Sequence, residues 1–156
     1  MTKEEKYQLL VEQARSLAEG ESDAISVMAN LSAAIHEAMG FWWTGFYIEK
    51  DGELHLGPFQ GPVACYRIPH GKGVCGTAYQ RRTTVVVPDV EQFPGHIACS
   101  SLSRSEIVVP VRQGEDIVAV LDIDSKDLNT FDETDQQYLE QIVRFIPSLG
   151  PQVPLP

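Results

Sequence analysis

The chain has 156 residues, 43% of them apolar and 22% charged, with a net charge of -10. That is ordinary globular usage for one domain, long enough to bury about two-thirds of its unfolded surface without a metal or disulfide staple. No Lys/Arg stripe and no apolar run of about 18 residues occurs, and MTKEEKYQLL lacks a signal-peptide pattern, so nucleic-acid binding, membrane binding and export are not expected and the reading is a cytoplasmic protein.

Residues 3–19 read as a helix, because Tyr7, Leu10, Val11, Ala14, Leu17 and Ala18 recur at helical spacing. Gly20 ends it, and Ser22 is the expected cap of a second helix over 23–39. Its apolar stripe is Ile25, Met28, Ala29, Leu31, Ser32, Ile35 and Met39, and Gly40 breaks it. The period then shortens. Phe41–Ile48 is aromatic and β-prone, Asp51-Gly52 signals a hairpin, and Glu53–Gly57 returns as a second strand.

A Pro/Gly-rich loop over 58–71 holds Cys65, and 72–81 is a short helix whose first turn holds Cys75. Thr83–Val87 is a β-branched strand. A second irregular loop, 88–104, holds Cys99. Ser105–Arg112 and Asp116–Ser125 form a strand pair around Gln113-Gly114-Glu115. Thr130 is the expected cap of a last helix over about 132–146. This order predicts an α+β fold with a mostly antiparallel sheet of about six strands and flanking N- and C-terminal helices. Residues 1–147 make one domain, and 148–156 a proline-rich tail. Loops this long are commonly functional.

Three cysteines without an export signal argue for chemistry rather than a disulfide scaffold. All three lie between positions 65 and 99, among Gly, Pro and His. Loop placement makes such thiols accessible, and a helix N-terminus at Cys75 would favour its thiolate. Three thiols allow three single disulfides, and spacing does not choose among them. The alternating strand Ile117–Ser125 puts Val118, Val120, Asp122 and Asp124 on one face and Ala119, Leu121 and Ile123 on the other. Either both carboxylates point to water, or they form an acidic pocket for an ammonium group with one acid kept protonated. Glu106 could add a third acid. Of the neighbours Trp42 and Trp43, alternation sends one to each face, so one packs in the core and the other can wall a pocket. Cys65, His70, Cys75, His96 and Cys99 supply enough ligands for zinc, but no C-x2-C pair is present. His70 and His96 are also the candidate bases of a Cys-His hydrolase, without a supporting signature.

The segment VPVRQGEDIVAVLDIDS followed by FDETDQQYLEQI resembles the closing half of a GAF domain. FWWTGFYI, LGPFQGPVACYRIPHGKGVCGTA, VPDVEQFPGHIACSSLSRSEIVVP and VLDIDS resemble a narrower group within it, the free methionine-R-sulfoxide reductases. The resemblance runs from about Tyr7 to Phe145. It implies reduction of free L-methionine-R-sulfoxide, with Cys99 as the cysteine oxidised to sulfenic acid, Cys65 as its disulfide partner and Cys75 as an accessory thiol. It implies acidic substrate contacts at Glu106, Asp122 and Asp124 and an aromatic pocket at Trp43 and Tyr47. The backbone at Ile97 and Ala98 would meet the substrate carboxylate. Thioredoxin is the implied reductant and a homodimer the implied assembly, with no metal and no organic cofactor. The alternative is a non-catalytic GAF module that binds a small ligand or senses redox state.

Overall fold

The computed structural model describes residues 1–96 and 102–150. Two helices lead, α1 (Lys3–Ala18) and α2 (Ala24–Met39). The hairpin β1 (Trp43–Lys50) and β2 (Glu53–Gln60) follows, then the short strand β3 (Arg67–Ile68) and the helix α3 (Gly73–Arg81). Next come β4 (Val85–Val87), a 3-10 turn at Val90–Gln92, β5 (Ser105–Gln113), β6 (Asp116–Ser125) and α4 (Glu133–Val143). The six strands form one antiparallel sheet in the order β3-β2-β1-β6-β5-β4. None of the described helices is long and apolar enough to cross a membrane.

The sheet has two faces with different tasks. Ala119, Leu121 and Ile123 of β6, with Phe46, Ile107 and Val109, pack against Leu10, Met28, Leu31, Ile35, Leu139 and Ile142 from α1, α2 and α4. Val120, Trp43, Tyr47 and Val108 face the other way, toward Val74, Cys75 and Ala78 of α3. The alternation read from β6 is therefore the division between a helix-packed core and a second face covered by one short helix. The side chains of Asp122 and Asp124 belong to that second face.

Several boundaries differ from the sequence reading. Asp23, not Ser22, caps α2, accepting from the Ile25 N–H at 3.1 Å. Asp132, not Thr130, caps α4 in a reciprocal capping box with Asp135. The Thr130 hydroxyl is instead 2.6 Å from Ser125 Oγ. Ile25 and Ala29 are exposed while Val27 is buried, because the buried stripe of α2 runs through Val27, Leu31, Ala34 and Ile35. Residues 58–71 are not all loop. Pro58–Gln60 extend β2, and Arg67–Ile68 pair with it as an edge strand. The Asp51-Gly52 turn has φ of 53° and 83°, the doubly left-handed geometry of a two-residue hairpin.

Candidate active site

Register builds the site. Trp43 pairs with Asp124 and Gly45 with Asp122 across β1 and β6, and Glu106 pairs with Asp124 across β5 and β6. Partners in register point to the same face. Three acids from two strands, and two aromatic rings from a third, thus meet under α3. Between them sits Gly45. A Cβ there would lie 2.3 Å from Phe59 Cβ and 2.7 Å from the Trp43 ring. The missing side chain lets Trp43 stack on Phe59, with ring centroids 5.2 Å apart, and leaves the face opposite Asp122 open.

A cavity opens over this face. Its walls include Trp42, Trp43 and Tyr47, the acids Glu106, Asp122 and Asp124, Cys75 at the first turn of α3, and His96 and Ser103. Two hydrogen bonds fix the aromatic wall. Trp43 Nε1 donates to Pro62 O at 3.0 Å, and the Tyr47 hydroxyl donates to Cys65 O at 2.9 Å. Both acceptors lie on the segment joining β2 to β3, so the loop that holds Cys65 is tied to the pocket. Cys65 is half-buried and disulfide-bonded.

The acids do not point to water. Glu106 and Asp122 are buried. Burial raises all three carboxyl groups, and Glu106 and Asp124 rise well above the usual carboxylate range because the Asp122 charge adds to desolvation. At Asp122 burial is opposed by Glu106, Cys75, Asp124 and His96, each of which favours its charged form. Burial and the Asp122 charge thus favour the protonated forms of Glu106 and Asp124, while the neighbours of Asp122 favour its charged form. Ser103 Oγ donates to Asp124 Oδ1 at 3.1 Å. Among the described residues Asp122 Oδ1 is buried without a hydrogen-bond partner, and so is Trp42 Nε1. One unmet acceptor and one unmet donor in a single cavity describe a place for a polar ligand.

Cys75 overturns an expectation. It is only 3% exposed, and burial together with the charges of Asp122, Glu106 and Asp124 pushes its thiol well above the ordinary range. Its sulfur and one oxygen each of Glu106 and Asp122 lie within 4.8 Å of one another. Two unit charges at that distance repel by about 3 kcal/mol at an effective dielectric of 20, whereas a helix N-terminus contributes less than about 1 kcal/mol. The acids win, and Cys75 stays a thiol. That trio is close enough to meet one ion, but the zinc set read from the sequence is not assembled: Cys65 is in a disulfide, and His70 packs edge-on against Tyr79, 5.3 Å between centroids.

Trp43, Tyr47, Glu106, Asp122, Asp124 and Cys75 are brought together as the sequence reading expected, and Cys65 adjoins them. Cys99, Ile97 and Ala98 lie outside the described residues. Two wall residues were missed. Trp42 precedes β1, so strand alternation does not apply to it, and it joins Trp43 at the cavity with the Lys126 ammonium 3.8 Å above its ring. His96 stands with Nε2 3.8 Å from Glu106 Oε1, and burial lowers its pKa. The signal for His96 was its place three residues before Cys99 in the second long loop. Of the two histidines weighed as bases, it alone lines this cavity.

A family model described as GAF domain matches residues 10–146. The chain is 53% identical over 146 residues to GAF domain-containing protein A of Dictyostelium discoideum, covering 93% of this chain and 92% of that one. It is 45% identical over 144 residues to the free methionine-R-sulfoxide reductase of Escherichia coli (strain K12), covering 92% of this chain and 87% of that one. The X-ray structure of free methionine-R-sulfoxide reductase from Neisseria meningitidis in complex with its substrate superimposes with a TM-score of 0.92 at 47% identity, covering 94% of this chain and 89% of that one. With a sheet, an acid trio and an aromatic wall of this kind behind such identities, the chain belongs to the free methionine-R-sulfoxide reductases of the GAF domain family.

Proposed function

We propose that the protein reduces free L-methionine-R-sulfoxide to L-methionine. The observation that carries this reading is the acid trio gathered beside an aromatic wall in one cavity. A free amino acid brings an ammonium group, and Asp122 offers a charged carboxylate whose Oδ1 awaits a donor. A thioether-like methyl suits the faces of Trp43 and Tyr47. A sulfinyl oxygen departs poorly unless protonated, and Glu106 and Asp124, both raised well above the usual carboxylate range, are the acids at hand.

Cys99 is the nucleophile in this reading. Its sulfur attacks the sulfinyl sulfur while an acid protonates the oxygen. The hydroxyl then passes from the methionine sulfur to the Cys99 sulfur as the new S–S bond breaks, so methionine leaves with that bond's electron pair and Cys99 carries the sulfenic acid. Cys65 condenses with that group, releasing water and forming the Cys65–Cys99 disulfide. The disulfide-bonded state of Cys65 and the free thiol of Cys75 support this choice of partner over Cys75. The backbone at Ile97 and Ala98 receives the substrate carboxylate. Thioredoxin restores both thiols, the working form is a homodimer in the cytoplasm, and residues 1–147 act as one catalytic domain.

The test is stereochemical. With dithiothreitol in excess, chiral chromatography should show the R epimer consumed and the S epimer intact. Cys99→Ser should abolish turnover. With reduced thioredoxin as the only reductant, Cys65→Ser should leave one equivalent of methionine per site in a burst and then stop. Binding of the R epimer without consumption would make the protein a ligand-binding module instead.

A further inference from the structure

A buried, protonated Cys75 has a consequence for the disulfide at Cys65. Thiol–disulfide exchange requires a thiolate that can reach a sulfur along the bond axis. Cys75 is 3% exposed, and burial first and the neighbouring acids second push its thiol well above the ordinary range, so it is a poor internal reductant. The electrons must enter from outside, at the surface around Cys65.

That surface is distinctive in two ways. Large apolar side chains exposed among the described residues include Val63 (89%), Tyr66 (75%) and Leu102 (53%). Val63, which also lines the cavity, and Tyr66 stand two residues before and one after Cys65, and Leu102 precedes Ser103, which lines the same cavity. The second feature is charge. The chain has 22 acidic and 12 basic side chains. Yet Arg67 follows Tyr66, Lys72 caps α3, Arg104 follows Ser103, and Lys126 covers Trp42. Among the described residues none of these four cations forms an ion pair. Asp89 and Glu91 are the nearby acids, lining a neighbouring cleft with Leu102, Arg104 and Lys126.

We infer that the exposed apolar side chains Val63, Tyr66 and Leu102, with the cations Arg67 and Arg104, form the docking surface for an acidic protein dithiol that reduces the Cys65 disulfide. The inference rests on the reductase reading and adds its reductant's footprint. One thiolate of the partner attacks a sulfur of the disulfide, forming a mixed disulfide and freeing one cysteine as thiolate. The partner's second thiol attacks the mixed disulfide and frees the other cysteine. Two electrons pass from the dithiol to this protein, and the partner's two thiol protons end on the released sulfurs. The apolar collar excludes water from the exchanging sulfurs, and the cations steer an acidic partner into place.

The experiment compares two reductants on the same variants. Tyr66→Ser, Leu102→Ser, Arg67→Glu and Arg104→Glu are surface changes outside the substrate cavity. With thioredoxin kept reduced by its reductase and NADPH, the double variant Tyr66→Ser/Arg67→Glu should raise the KM for thioredoxin about tenfold, the weight of one interface anchor. With dithiothreitol, which needs no docking surface, kcat and the KM for the sulfoxide should stay within about twofold. Raising salt from about 0.05 to 0.5 M should weaken wild-type turnover with thioredoxin and leave turnover with dithiothreitol unchanged. An unchanged thioredoxin KM overturns the inference, as does an equal loss with both reductants. A variant that changes the oligomeric state in light scattering would assign the surface to a second copy instead. Failure of wild type to turn over with dithiothreitol is a separate outcome, and defeats the reductase reading itself.

Discussion

Three carboxyl groups set the chemistry at the scale of single residues, and their cost is legible in pH. Glu106 and Asp124 hold protons in the folded protein at pH values where the unfolded chain has lost them. The native state then binds more protons than the unfolded state, so stability falls as pH rises from the ordinary carboxylate range up to the raised native values. Below that range both states are protonated and the penalty vanishes. Glu106→Gln removes part of it. The variant should be more stable at neutral pH by about 1 kcal/mol and show a shallower fall of denaturant midpoint with pH. Its kcat should drop by at least about a hundredfold, the usual weight of a general acid or its immediate partner. For wild type, kcat should decline on the alkaline side as the acids lose their protons. A flat alkaline limb would remove Glu106 and Asp124 from the proton-donor role. The residue scale also shows where sequence reading stops. The face shared by Asp122 and Asp124 followed from alternation. That Asp122 is buried and Asp124 half-buried rather than solvated did not, because burial depends on α3 lying over the strand end.

Elements hold these groups in place through register and turns. Gly45 is the point where β1, β2 and the aromatic wall come closest. Gly45→Ala forces its Cβ into Phe59 and Trp43, and overpacking of this kind costs about 1–3 kcal/mol. Thermal unfolding should register the loss, and the KM for the sulfoxide should rise because Trp43 moves. α2 depends on its cap. Asp23→Ala removes the bond to Ile25 N and should lower stability by about 1 kcal/mol without changing KM. Helices, the Asp51-Gly52 hairpin and the β5–β6 pair were visible in the chain because each rests on local periodicity or turn chemistry. Caps were not, since Ser22 and Asp23, or Thr130 and Asp132, are all competent capping residues within a few positions. Which one caps is settled by where the helix axis meets the sheet. Strand β3 was invisible for a related reason. Two residues carry no period, and only pairing with β2 makes them a strand.

The whole molecule joins its ends on the sheet face away from the site. The buried Asp135 of α4 accepts from the Tyr7 hydroxyl at 2.6 Å and from Lys3 Nζ at 2.7 Å, both on α1. Tyr7 also stacks on Tyr138, 5.3 Å between centroids. Asp135→Ala leaves a buried hydroxyl unpaired and breaks the capping box, and should cost about 3 kcal/mol in urea unfolding with an unchanged m-value. The KM for the sulfoxide should not move, because the acid trio sits on the opposite face. The sequence by itself determined the fold class, the division of β6 into two faces, the acid set and the thiols at issue, because composition, period and motif are local properties of a chain. Only the tertiary structure decided that the acids meet in one cavity with raised pKa values, that Cys75 is buried and its thiol raised despite its helix N-terminus, and that Trp42 and His96 belong to the wall. Those facts arise when strands distant in sequence come into register under α3, and the exclusion of water there sets protonation more strongly than any neighbour along the chain.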